Sequence, residues 1–281
     1  MALETRVYQR ERQLKISTLL VASLKDLYGS RFLARQLAER DIKAQYRQSY
    51  LGIVWAFVMP LATAFVWVFL NRTGTIKLSD TGVPYPVYAF TGTLIWSIIV
   101  AAINAPMAST NGSKGILTKI NFPKEALILS GIYKLLFDSS VKIVLLLLFV
   151  ILYGVGLHWS MLLFPVAMLG AIFLGTTIGL FITPIGLLYK DISKLISLGM
   201  QFLMYATPVV YAIPKTGLMH HIMSWNPMTP IILTARDLIT GMSPQHITYF
   251  LSVVGLCIPL LFLGLVLYRI SIPIIVERLS A

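Results

Sequence analysis

The sequence predicts an all-α integral membrane protein: six transmembrane helices, an N-terminal amphipathic interface helix, and short outer re-entrant or gate helices. Three observations carry that expectation. Of 281 residues, 57% are hydrophobic and 12% charged, too few polar side chains to cover a soluble globule of this size. The charges stand in blocks separated by long uncharged stretches. Several of those stretches reach the roughly 20 residues with which a helix crosses ~30 Å of hydrocarbon.

Residues 1–47 read as a cytoplasmic tail and interface helix. Arg6, Arg10, Arg12 and Lys15 precede an apolar stretch too short and too charged for a signal-peptide core, so no cleaved leader is expected. Arg31 to Arg47 lacks Pro and Gly. At helical spacing, Arg35, Gln36, Glu39, Arg40, Lys43 and Arg47 share one arc, while Leu33, Leu37, Ile42 and Ala44 fall elsewhere. Arg35 with Glu39 and Glu39 with Lys43 are i,i+4 pairs, each adding about 0.2–0.5 kcal/mol. The basic excess suits anionic headgroups, and Asp41 on the apolar arc points to a partner besides lipid.

Residues 48–281 form the membrane domain, with spans at about 49–70, 85–110, 126–153, 161–188, 194–213 and 247–269. Gly154, Gly156, His158 and Trp159 divide the third from the fourth. An even number of crossings puts both termini on one side. With the N-terminus inside, the inner segments 1–47, 111–125, 189–194 and 269–281 hold 17 of the 23 Lys and Arg. The outer segments hold Arg72, Lys77, Lys215 and Arg236, so the positive-inside rule makes the N-terminus cytoplasmic.

Three segments ask for more than a crossing. The inner loop 111–125 opens on helix breakers, then sets Ile116, Leu117, Ile120 and Phe122 beside Lys119 and Lys124. It reads as a short helix stopped by Pro123, with apolar side chains available to a partner's groove. The outer segment 214–246 carries Pro214, Pro227, Pro230, Gly241 and Pro244. Its apolar pieces, Gly217 to Trp225 and Met228 to Leu238, are too short to cross and suit re-entrant half-helices. In span three, Lys134, Asp138 and Lys142 share a face, marking a bundle interior, a cavity or the headgroup zone. Gly170, Gly175 and Gly179 allow close helix approach within the protomer.

Several chemistries are disfavoured. A net charge of +12 is read as membrane topology, with no nucleic-acid partner. Cys257 is a lone thiol in an apolar run, and His158, His220, His221 and His246 lack zinc spacing, so no metal site is expected. No GxxxxGK[ST] is present, so ATP phosphates have no P-loop here.

Arg40 to Pro60 (RDIKAQYRQSYLGIVWAFVMP) resembles the start of the membrane subunit of type-2 ABC exporters, in the branch serving bacterial O-antigen, capsular polysaccharide and teichoic acid export. Leu117 to Glu125 (LTKINFPKE), Thr207 to Tyr211 (TPVVY) and Asn226 to Pro230 (NPMTP) match in order. The resemblance implies a non-enzymatic permease in the bacterial inner membrane, working as a homodimer above two cytoplasmic ATPase subunits that bind ATP and Mg. It implies a polyprenyl-linked glycan as cargo, moved between the protomers and contacting membrane lipids. The implied ATPase contacts are Arg40, Asp41, Lys43, Arg47, Lys119, Asn121, Phe122, Pro123, Lys124 and Glu125. The implied outer gate includes Trp225, Asn226, Pro227, Arg236 and Asp237.

Flat rings stack on sugar C–H faces, which makes Trp55, Phe65, Phe69, Tyr85, Tyr88, Phe90, Trp96, Tyr205 and Tyr211 candidate channel-lining residues. An interfacial aromatic belt is the alternative account of several of them. On span one, Trp55, Phe65 and Phe69 share an arc from which Phe57 and Trp67 face away. A drug, haem or small-lipid exporter of the same fold is the competing reading. A membrane enzyme would want paired acids, and a proton-coupled carrier mid-span charges.

Overall fold

The computed structural model describes residues 16–47, 50–74, 82–117 and 119–280. Arg6, Arg10, Arg12, Lys15, Lys77 and the span boundaries at 48–49 and 81 lie outside them. All regular structure among the described residues is helical. Two helices precede the bundle: α1 (Ile16–Gly29), which the sequence reading did not separate from the tail, and α2 (Arg31–Arg47). Then come α3 (Trp55–Arg72), α4 (Tyr85–Gly112), the single turn α5 (Lys114–Leu117) and α6 (Glu125–Leu152). The chain continues through α7 (Phe164–Leu188), α8 (Lys190–Tyr205), α9 (Leu218–Trp225), α10 (Thr229–Thr240) and α11 (Ile247–Ser280).

Among the described residues, five helices are long and apolar enough to cross a membrane: α3 with the turn before it, α4, α6, α7 with the turn before it, and α11. The chain is a multi-pass membrane protein. At the centre α4 packs against α7 and α6, and α11 closes the far side of α7. A Cβ on Gly175 would meet Ala102 Cβ at 2.5 Å and Ile99 O at 2.7 Å, so the α4–α7 seam is a backbone-to-backbone contact within the protomer. Lateral α3 is attached loosely, with Ala64 its one fully buried residue.

The fifth expected span differs. Helix α8 has 16 residues, ~24 Å at 1.5 Å per residue, and stops at Tyr205 rather than near 213. Pro208 lacks an amide hydrogen and disfavours helical geometry at Thr207, so the hydrogen-bond ladder ends there. The chain still travels the length of the bundle. Helix α8 leaves the α7 terminus, and Val210 O then accepts from Tyr85 Oη at 3.2 Å, at the opposite end.

Candidate functional site

At one end of the bundle, α2, α5 and the start of α6 enclose a small core of Leu37, Leu117 and Leu127, with Leu33, Ile116 and Phe122 against it. The polar arc read from the sequence is the exposed one, whereas of Leu33, Leu37, Ile42 and Ala44 only Leu37 is buried and Ala44 is exposed. Ala34, Leu37 and Ala38 are buried while Arg35, Gln36, Glu39, Arg40, Lys43 and Arg47 are exposed. The apolar face of α2 is covered by protein, and Asp41 pairs with Arg40 (2.7 Å), as Lys43 does with Glu39 (2.7 Å).

The inner loop is less open than its composition implies. The helix within it ends at Leu117, short of Pro123, and Phe122 is half-buried because α2 folds back over it. Lys119, Ile120, Asn121 and Pro123 are exposed, and Lys124 Nζ donates to Phe122 O at 3.0 Å. Glu125 points inward, 2% exposed. Its Oε1 accepts from Arg269 Nη1 (2.5 Å) and Ser23 Oγ (3.1 Å), and the same Arg269 nitrogen reaches Asp26 Oδ2 at 2.7 Å. The carboxylate expected on a contact surface is thus committed to a knot joining α1, α6 and α11. The knot went unread in the sequence because Ser23 and Arg269 lie more than a hundred residues from Glu125. A recess of about 400 Å³ beside it is bordered by Asn121, Phe122, Pro123, Lys124 and Pro273.

Between α2, α4 and α6 lies a cleft of about 530 Å³, its wall mostly apolar but including Asp41, Gln45, Asn104, Ser109, Lys134 and Asp138. Two of the three ionisable groups of span three therefore face this cleft. The third, Lys142, lines a smaller cavity of about 190 Å³ and donates to Ser97 Oγ at 3.0 Å.

The aromatic residues separate into two sets. Tyr88, Phe90 and Trp96 are buried inside the protomer, and Phe90 stacks on Phe149 at 4.8 Å. All three are covered by neighbouring helices of the same protomer, where Phe90 and Tyr88 each border a small cavity. Trp55, Phe65 and Phe69 form an exposed stripe on α3, while Phe57 and Trp67 pack on the core. Tyr205 is exposed; Tyr85 and Tyr211 are half-buried, and Tyr211 Oη donates to Tyr205 O.

At the other end, α9 and α10 are the two half-helices expected from the outer segment. Helix α10 ends at Gly241, whose φ of 77° is the left-handed cap that glycine adopts without cost. Asn226 bridges the pieces: Nδ2 donates to Ala206 O (3.2 Å) and Thr207 Oγ1 (2.8 Å), and Oδ1 accepts from Met228 N (2.9 Å). Trp225 and Pro227 are exposed, and Trp225 O accepts from Tyr249 Oη at 2.9 Å. Arg236 is 3% exposed. Its Nη2 donates to Pro208 O (3.1 Å) and Val209 O (2.7 Å), and its guanidinium lies 3.5 Å over the Tyr88 ring. The two carbonyls and the ring face offset part of the desolvation of this buried cation, whose Nε and Nη1 have no hydrogen-bond partner among the described residues. Gly92 makes the room, because a Cβ there would overlap the Val209 carbonyl. Burial raises the Asp237 pKa above the ordinary carboxylate value, opposed by the hydrogen bond from Gln245 N and by Arg236.

Comparison with known proteins follows the same outline. The family described as ABC-2 type transporter matches residues 33–240. The chain is 27% identical over 192 residues to the O-antigen export system permease protein RfbA of Myxococcus xanthus, covering 68% of this chain and 73% of that protein. It is 27% identical over 255 residues to an O-antigen export system permease protein RfbA of Klebsiella pneumoniae, covering 84% of this chain and 95% of that one.

Proposed function

Because the chain belongs to the ABC-2 type transporter family, we propose that it is the permease subunit of an ATP-driven exporter of an O-antigen-type polysaccharide on a polyprenyl carrier. The observation that carries this reading is its similarity, over most of both chains, to proteins named O-antigen export permeases. The protein acts as a transport subunit, and ATP and Mg belong to a cytoplasmic ATPase partner, two copies serving a homodimer of this chain.

In this reading the chain lies in the bacterial inner membrane with both termini cytoplasmic, and α8 with its extension to Val210 makes a sixth crossing. The charge bias of the loops supports that orientation. The ATPase contact surface comprises Arg40, Asp41, Lys43 and Arg47 of α2 with Lys119, Asn121, Pro123 and Lys124 of the loop, while Phe122 and Glu125 hold that surface in shape. A push on α2 reaches α6 directly through the Leu37–Leu127 core. The exposed stripe of Trp55, Phe65 and Phe69, with Tyr205, Tyr211 and Tyr85, lines the glycan path between copies. Trp225, Asn226, Pro227, Arg236 and Asp237 belong to the segment that closes it.

The test is depletion of this chain in its host, followed by extraction and sizing of polyprenyl-linked glycans. Long lipid-linked polymer accumulating inside, with loss of surface glycan, is the expected outcome. A normal surface coat without accumulation refutes polysaccharide export and leaves export of a drug, haem or small lipid.

A further inference from the structure

On the flank of the bundle, α1, α6, α7 and α11 diverge around a crevice of about 950 Å³, at the upper end of the roughly 300–1,000 Å³ of small-molecule sites. It follows α11 from Phe250 to Leu261, ~16 Å at 1.5 Å per residue, about half of the ~30 Å hydrocarbon thickness. Its walls are apolar, with Leu129, Val166, Phe173 and Ile258 among them. Among the described residues its polar lining is Tyr28, Arg31, Tyr133 and Thr176, with no carboxylate. Leu27 of α1 and Ile132 of α6 pack against the same apolar cluster, and Tyr133 of α6 lines the crevice together with Tyr28 and Arg31. There the Arg31 guanidinium stacks on the Tyr28 ring at 4.4 Å.

A slot that is apolar along its length and cationic at one end is complementary to an anionic amphiphile. An acyl chain gains little by leaving bilayer for such a slot, because lipid tails are as apolar as the leucines lining it. Selectivity must therefore come from the head, where one guanidinium and two phenols can donate to phosphate oxygens. We propose that this crevice binds one anionic phospholipid, with its phosphate at Arg31, Tyr28 and Tyr133 and an acyl chain along α11.

The test uses the full chain in nanodiscs of equal phosphatidylglycerol and phosphatidylcholine, with retained lipids counted by native mass spectrometry. The protein is expected to keep phosphatidylglycerol over phosphatidylcholine by about fivefold, the equivalent of ~1 kcal/mol per basic side chain near an anionic surface. Arg31→Gln should bring that ratio close to one. Arg35→Gln, on a side chain that does not line the crevice, should leave it unchanged. Leu251→Trp, at an exposed lining position where folding tolerates bulk, should reduce retention of both lipids. Equal retention by the unsubstituted protein, or an unchanged ratio in Arg31→Gln, overturns the proposal. So does displacement by soluble glycerol phosphate, which would mark a free-phosphate site, or retention of polyprenyl phosphate in place of phospholipid from native membranes.

Discussion

Replacing Gly92 by Ala should unseat the segment that joins α8 to α9. The new Cβ would overlap Val209 O and lie 2.8 Å from Val209 C and 2.6 Å from Arg236 Nη2. Neither neighbour can yield cheaply. Val209 O holds Arg236 Nη2 at 2.7 Å, and the guanidinium is fixed 3.5 Å over Tyr88. Relief requires the Val209 backbone to withdraw, at about 1–3 kcal/mol for overpacking and about 1.5–3 kcal/mol for a hydrogen bond from a charged donor. Alanine's better helix propensity returns about 0.8–1 kcal/mol, leaving a net loss of about 2–5 kcal/mol. At roughly 2–4 °C per kcal/mol, that is a Tm drop of about 5–20 °C. The control is Gly255→Ala in α11, where nothing lies within 4 Å and the expected effect is a gain of up to ~1 kcal/mol. Thermal unfolding followed by light scattering and size exclusion reads both variants. Equal melting of Gly92→Ala and the unsubstituted protein would refute the docking of residues 207–210 on α4.

Other perturbations separate the remaining roles. Glu125→Gln should cost about 2–3 kcal/mol, because the buried pair with Arg269 is broken while Asp26 still partners the guanidinium; an unchanged melt would leave Asp26 alone as the anchor. Ile120 is 60% exposed on the inner loop, so Ile120→Asp should uncouple ATP hydrolysis from export with folding intact, and normal export would remove the loop from coupling. Single cysteines at Trp55, Phe65 and Phe69, in a chain with buried Cys257 replaced by Ala, should react with water-soluble thiol reagents; inert cysteines there put the stripe against lipid. Asp237 has a raised pKa, chiefly from burial. The folded state therefore binds its proton more tightly than the unfolded one, and stability falls as pH rises from the unfolded value of 3.8 through the folded value. Asp237→Asn should abolish that slope, and an unchanged melting profile against pH would refute the burial argument.

Much of the helical plan is legible from charge spacing alone. The limits of α4, α6, α7 and α10 fall within a few residues of the spans and apolar pieces read from the sequence, and the polar arc of α2 is the exposed face. The reading fails where a distant partner decides. Tyr88, Phe90 and Trp96 have the composition of a sugar-facing surface, yet they are core because α6 and α10 cover them. Phe122 is half-buried because α2 returns over the loop, and α8 ends early because Pro208 breaks the ladder before the apolar run is over.

Hydrophobic run length and the positions of charges are local quantities, and they alone determine that this chain lies in a membrane, is helical and carries its basic residues in particular loops. Which face of each helix meets protein is not local, because an apolar side chain satisfies a neighbouring helix and a lipid tail equally well. Only the tertiary structure separates core rings from the exposed stripe of α3. The same holds for the buried charges: Glu125 and Arg236 are tolerable only beside Arg269, Ser23, Tyr88 and the carbonyls of Pro208 and Val209, and those partners are assembled by packing across the chain, since each buried charge needs compensation wherever the fold places it.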